Sequence, residues 1–183
     1  MNPKIWRSIA FVVIVLAVAY AGLRVGSSLR SRAAVTQEKP PAFPFKPGDT
    51  FPDVPLTDSL GTHVGSAALV RGKGAVVLFL DPNCHGCLAM AERWEGAVDN
   101  GAVEAERVIA VTRDPAAVNN HYRAEHSLSY PLYTDSASVF LKQHGVAEYP
   151  MEMVVGASGT IRSISTDSKT PIDAESIRAM IAQ

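Results

Sequence analysis

Cys84 and Cys87 stand three positions apart in the run Cys84-His85-Gly86-Cys87, and the chain has no other cysteine. A thiolate, not a thiol, attacks a disulfide, so a reactive cysteine needs surroundings that lower its pKa below the free value of about 8.5. A bridge across two intervening residues closes too small a loop to staple a fold, and its value must therefore lie in reactivity. The spacing predicts Cys84 at the start of a helix, where unsatisfied backbone N–H groups and the helix dipole favour an anion. Cys87 then lies one turn further in and resolves a mixed disulfide formed at Cys84. His85, when cationic, favours the thiolate and so the reduced form. Gly86 removes bulk so that a partner's backbone can approach. Asp81 is a candidate to relay a proton to or from Cys87, against the plainer reading of a polar residue that ends a strand.

Two other readings of the pair compete. A zinc site normally needs four ligands, and a second Cys-x-x-Cys is missing. His63, His85, His121, His126 and His144 show no ligand spacing, so no metal is expected. Two inert buried cysteines would also fit the pair, but Asn83, His85 and Gly86 make a poor core segment.

The elements that must position the pair follow from periodicity. Ala75 to Leu80 is a continuous apolar run between Gly74 and Pro82, which predicts a buried central strand. Leu88, Ala91, Trp94 and Val98 recur at helical spacing, and Asn100-Gly101 stops that helix. Val108 to Val111 predicts a strand, and Pro115 to Glu125 a helix with Asp114 as N-cap and Pro115 at the first helical position. Pro131 to Tyr133 follows as a short strand and Ser136 to His144 as a helix ended by Gly145. Met151 to Val155 and Thr160 to Ser165 read as a hairpin across Gly156-Ala157-Ser158-Gly159, and Ala174 to Ile181 as a closing amphipathic helix behind Asp173. The order β-α-β-α-β-α-β-β-α predicts an α/β fold, a mixed sheet flanked by helices.

Ahead of this domain the chain changes character twice. Ser8 to Leu23 is 16 residues without charge, between Arg7 and Arg24. As a helix it would reach roughly 24 Å, somewhat short of a hydrocarbon core, with Trp6, Arg7 and Arg24 able to extend to the interfaces. The segment fits an uncleaved anchor, with the membrane engaged through residues 8–23. The same segment also fits a secretory signal cut near Ala19-Tyr20-Ala21, with the anchor the preferred reading. Both place the domain outside the cytoplasm, on the periplasmic side if anchored and secreted if cleaved. The expected organisation is therefore 1–25 as anchor or signal, 26–46 as a Pro/Ser-rich linker and 47–183 as the folded domain. The formal charge of 17 basic against 18 acidic residues leaves no basic footprint for nucleic acid.

Three stretches carry a resemblance. Pro47-Gly48-Asp49-Thr50-Phe51-Pro52 through Gly61 is similar to the hairpin that opens a redoxin domain. Val76 to Cys87 resembles a redoxin strand and its Cys-x-x-Cys turn, and Tyr149-Pro150 before Met151 to Val155 resembles the loop whose proline is cis. Together they resemble the thioredoxin superfamily, and within it the membrane-tethered TlpA/ResA-like redoxins of AhpC/TSA type, with the MauD-type proteins also similar. The resemblance implies a thioredoxin-like fold over residues 47–183. It also implies a redox disulfide between Cys84 and Cys87, a substrate groove shaped by Tyr149 and Pro150, and no cofactor. Its implied partners are protein thiols and disulfides, with an upstream redox donor or acceptor, in a setting such as cytochrome or cofactor-enzyme maturation. The alternative is a non-catalytic binding module or a copper or zinc metallochaperone on the same fold. Asn83 stands where the family usually has an aromatic residue, and His85 where proline is common. A peroxiredoxin turn would need Pro and Thr or Ser where Val77 and Asp81 stand.

Overall fold

The computed structural model describes residues 44–147 and 149–183. The expected anchor or signal over 1–25, and the linker as far as residue 43, lie outside the described residues. Among those described, no helix is long and apolar enough to cross a membrane.

A seven-stranded sheet runs through the domain in the order β2-β1-β5-β4-β3-β6-β7. Its strands are β1 Pro55–Thr57, β2 His63–Gly65, β3 Ala75–Phe79, β4 Val108–Thr112, β5 Leu132–Thr134, β6 Met151–Val155 and β7 Ile161–Ser165. The helices are α1 Ser66–Val70, α2 His85–Asp99, α3 Ala116–Glu125, α4 Val139–His144 and α5 Ala174–Ile181. β3 lies between β4, parallel to it, and β6, antiparallel to it, and core clusters on both faces bury every one of its residues. A strand covered on both faces reads as an unbroken apolar run, as this one does.

The two-residue period of β3 divides the core. Val76, Leu78 and Leu80 pack with Met90, Ala91 and Trp94 of α2 and with Ile177 and Ile181 of α5. Ala75, Val77 and Phe79 pack on the other face with Phe51, Val54 and Phe140. The Phe79 and Phe140 rings meet edge to face at 4.9 Å, an arrangement that contributes about 0.5–1.5 kcal/mol beyond burial. Trp94 is wholly buried, and its truncation to alanine would cost about 3–5 kcal/mol.

The expected order of elements from β3 onward is observed, preceded by the β1–β2 hairpin and α1. Two expected helix starts are corrected. Asp114 does not cap α3; Pro115 occupies the N-cap without a side-chain bond. The reason is local: Thr112 Oγ1 accepts from Asp114 N at 3.1 Å, and the Asp114 carbonyl accepts from Thr134 Oγ1 and Asn119 Nδ2. α4 begins at Val139, not Ser136, because the buried Asp135 carboxylate accepts from Val139 N and Phe140 N at 2.8 and 2.9 Å. Ser138 takes a left-handed conformation, with φ 53°, to deliver those donors. Asp173 does cap α5, accepting from Ser176 N, and Gly101 follows α2 at φ 74°, a conformation glycine adopts without penalty.

Candidate active site

β3 ends at Phe79, and Leu80 N still donates to Val111 O of the neighbouring strand. The chain then turns through Asp81-Pro82-Asn83. The Asp81 carboxylate accepts from Asn83 N at 2.9 Å, and its carbonyl accepts from Cys84 N, also at 2.9 Å. One aspartate thus holds both ends of the turn that delivers the first cysteine.

Cys84 is the N-cap of α2, with extended backbone (φ −101°, ψ 116°), and its sulfur accepts from Cys87 N at 3.2 Å. This is the position usually filled by Ser, Asp or Asn oxygen. The cysteines are joined as a disulfide with Cα atoms 5.2 Å apart, within the span such bonds require. Cys87 is 0% exposed and Cys84 half-buried, so Cys84 is the more accessible of the two. His85 is exposed at the first helical position.

The Tyr149–Pro150 bond is cis, and its proline packs on the turn of the disulfide. A Cβ placed on Gly86 would stand 3.3 Å from Pro150 Cδ and 4.0 Å from Cys84 Sγ. The small residue therefore makes room for the proline of the chain's own loop. Burial pushes the Tyr149 phenol up from its ordinary value; the Arg113 guanidinium opposes this, and Asp135 and Asp81 add to it.

Arg113 beside the site and Glu152 beneath α2 are residues that sequence reasoning missed. Arg113 lies 3.4 Å from the Asp81 carboxylate, and its guanidinium carbon is 5.1 Å from the centre of the Tyr149 ring. The signal for it is the register: Phe79 pairs with Val111, so Asp81 and Arg113 each follow two residues later. Glu152, two residues beyond Pro150, ion-pairs with Arg93 and accepts from Trp94 Nε1 at 2.9 Å. Its signal is one carboxylate inside the apolar run Met151 to Val155.

The remaining histidines stand elsewhere. His63 faces Thr57 Oγ1 from β2, His121 faces Glu125 along α3, His126 lies against Tyr122, and His144 stacks on Phe45. Among the described residues, no three His, Cys, Asp or Glu side chains converge on a point where a metal ion could sit.

A family profile described as the AhpC/TSA family matches residues 47–164. The chain belongs to the AhpC/TSA family. Its members are redoxins, and the resemblance drawn from the three sequence stretches holds at this level. The domain has the thioredoxin-like α/β fold. It is similar to the peroxidoxin BcpB of Mycobacterium tuberculosis at 21% identity and TM-score 0.60, over 75% of this chain and 96% of that one. A secreted M. tuberculosis disulfide oxidoreductase homologous to E. coli DsbE is similar at 18% identity and TM-score 0.55, over 71% and 95%. The thioredoxin domain of a Bacteroides vulgatus thiol-disulfide oxidoreductase is similar at 16% identity and TM-score 0.58, over 75% and 96%. At these identities the likeness is one of fold. No curated protein matches the sequence.

Proposed function

We propose that this AhpC/TSA-family chain is an extracytoplasmic thiol-disulfide oxidoreductase that exchanges disulfides with partner proteins through Cys84 and Cys87. The observation that carries the reading is the asymmetry of the pair: Cys84 is half-buried at a helix N-terminus, with an N–H aimed at its sulfur, and Cys87 is fully buried behind it.

In the reducing direction the Cys84 thiolate attacks one sulfur of the partner's disulfide. A Cys84–partner bond forms, the partner's sulfur–sulfur bond breaks, and its other sulfur leaves as a thiolate that takes a proton. Cys87 then gives up its proton and attacks Cys84 Sγ. The internal disulfide forms and the partner's second sulfur leaves, so the partner gains two thiols and this chain loses two. Oxidation of a partner is the same sequence reversed, and an upstream dithiol or disulfide protein resets the pair. Pro150 and Tyr149 border the groove in which the partner's chain would lie. Asp81 fixes the turn ahead of Cys84, and His85 is free to add positive charge beside it.

Exchange is favoured over peroxide reduction because Val77 and Asp81 stand where the peroxidase turn needs Pro and Thr or Ser. Placement outside the cytoplasm rests on the uncharged run Ser8 to Leu23. Trapping is the direct test: Cys87→Ser expressed in the full chain should accumulate mixed disulfides through Cys84, and their complete absence would sink the mechanism. Alkylation with a membrane-impermeant maleimide, after reduction of the Cys84–Cys87 disulfide by a membrane-impermeant phosphine, tests the location, since a domain outside the cytoplasm is then labelled in intact spheroplasts and a cytoplasmic one is not.

A further inference from the structure

Arg113 comes from neither segment of the dithiol cleft, yet it touches both. Its guanidinium lies 3.4 Å from Asp81, the residue that holds the turn before Cys84, and over the ring of Tyr149, which precedes Pro150. The backbone on either side of it is pinned. Thr112 Oγ1 donates to the buried Asn119 Oδ1 at 2.8 Å and accepts from Asp114 N. Asn119 Nδ2 donates in turn to Thr134 Oγ1 and to the Asp114 carbonyl. An arginine on so fixed a base presents its planar fork in one place, where carboxylate and aromatic face are both matched. The side chain nevertheless remains 40% exposed, open to a partner lying in the groove.

We propose that Arg113 is a positioning residue that ties the Asp81-Pro82-Asn83 turn to the Tyr149-Pro150 loop and so sets the groove for a protein-sized partner. The inference rests on the exchange reading above. A small disulfide needs only Cys84 sulfur, whereas a polypeptide must also lie along both walls, so loss of the tie is felt mainly by the larger substrate.

The test uses reduced full-length chain and measures second-order rate constants with insulin and with oxidised glutathione. Arg113→Gln should lower the insulin-to-glutathione ratio about three- to fivefold, the scale of one exposed cation–π contact. Arg113→Lys, which keeps the charge and loses the planar stack, should recover part of it. An unchanged ratio overturns the inference, as does a parallel fall of both constants, which marks a merely structural role. Wild-type chain that reacts with neither disulfide removes the exchange function instead. The amide signals of Gly86 and Tyr149 in oxidised Arg113→Gln then decide the inference: they shift if Arg113 ties the two walls and stay in place if it does not.

Discussion

Gly86 and Pro150 are in contact across the cleft, with no room between them for an uncrowded side chain: a Cβ on the glycine would stand 3.3 Å from the proline ring. Alanine within a helix is favoured over glycine by about 1 kcal/mol, so Gly86→Ala should leave thermal stability near that of the wild type. It should slow exchange with a protein disulfide, because the loop bearing Pro150 must give way by a few tenths of an ångström. Gly86→Val should slow it further. Melting curves beside insulin reduction rates separate the two effects; equal rates in all three proteins would show the contact to be idle.

The difference in exposure between the cysteines predicts their order of reaction. In freshly reduced protein, limited iodoacetamide followed by mass spectrometry should find Cys84 modified at least about tenfold faster than Cys87, since a nucleophilic thiolate must be both formed and reached. Equal labelling would remove the basis for assigning Cys84 as the attacking sulfur.

Glu152 accepts from Trp94 and pairs with Arg93, and the two charged side chains are only 12% and 15% exposed. Removing one charge leaves the other buried without its counterion, at a cost of about 3 kcal/mol or more. Glu152→Gln should therefore lower the urea midpoint clearly, and Arg93→Met with Glu152→Met should restore most of it. Urea unfolding of the single and double variants measures this, and a double variant no better than Glu152→Gln would point to the Trp94 bond instead.

Alkaline pH should unfold the domain. Burial, first among the causes, raises the pKa of Tyr122, Tyr130, Tyr133 and Tyr149 above the ordinary 10.0, for Tyr122 to about 12. The folded chain holds these protons more tightly than the unfolded one, so their contribution is complete below pH 10 and fades as pH rises through the folded values. Urea midpoints at pH 8.5, 10 and 11 should fall across the last two. Tyr122→Phe should flatten that fall without losing a hydrogen bond, because the Tyr122 hydroxyl has no partner among the described residues. A slope unchanged by the substitution would place the titration elsewhere.

Much of this architecture was legible because β3 and β4 are buried on both faces. Ala75 to Leu80 and Val108 to Val111 read best as inner strands, and the helix between them carries clear periodicity at Leu88, Ala91, Trp94 and Val98. The cysteine pair was legible as a candidate from its spacing alone, and the two residues are bonded to each other. Helix starts were less so: the choice between Asp114, Thr112 and Asn119 as the group that closes the α3 turn depends on a polar cluster assembled from β4, α3 and β5. Asp135 reaches past Ser136 to donors four and five residues on, and local capping rules do not anticipate that. Arg113 was invisible because its partners lie 32 and 36 positions away, and only the pairing of Phe79 with Val111 aligns it with Asp81.

The antiparallel placement of β6 beside β3 has a consequence for how this chain can vary. Two strands finish at the cleft and a third starts there, so the connections Asn100-Gly101 and Gly156 to Gly159 lie on the opposite rim of the sheet. Loop grafts, inserted domains or new chain ends at that far rim would leave Cys84, Arg113 and Pro150 in register, making it the natural attachment side for added cargo.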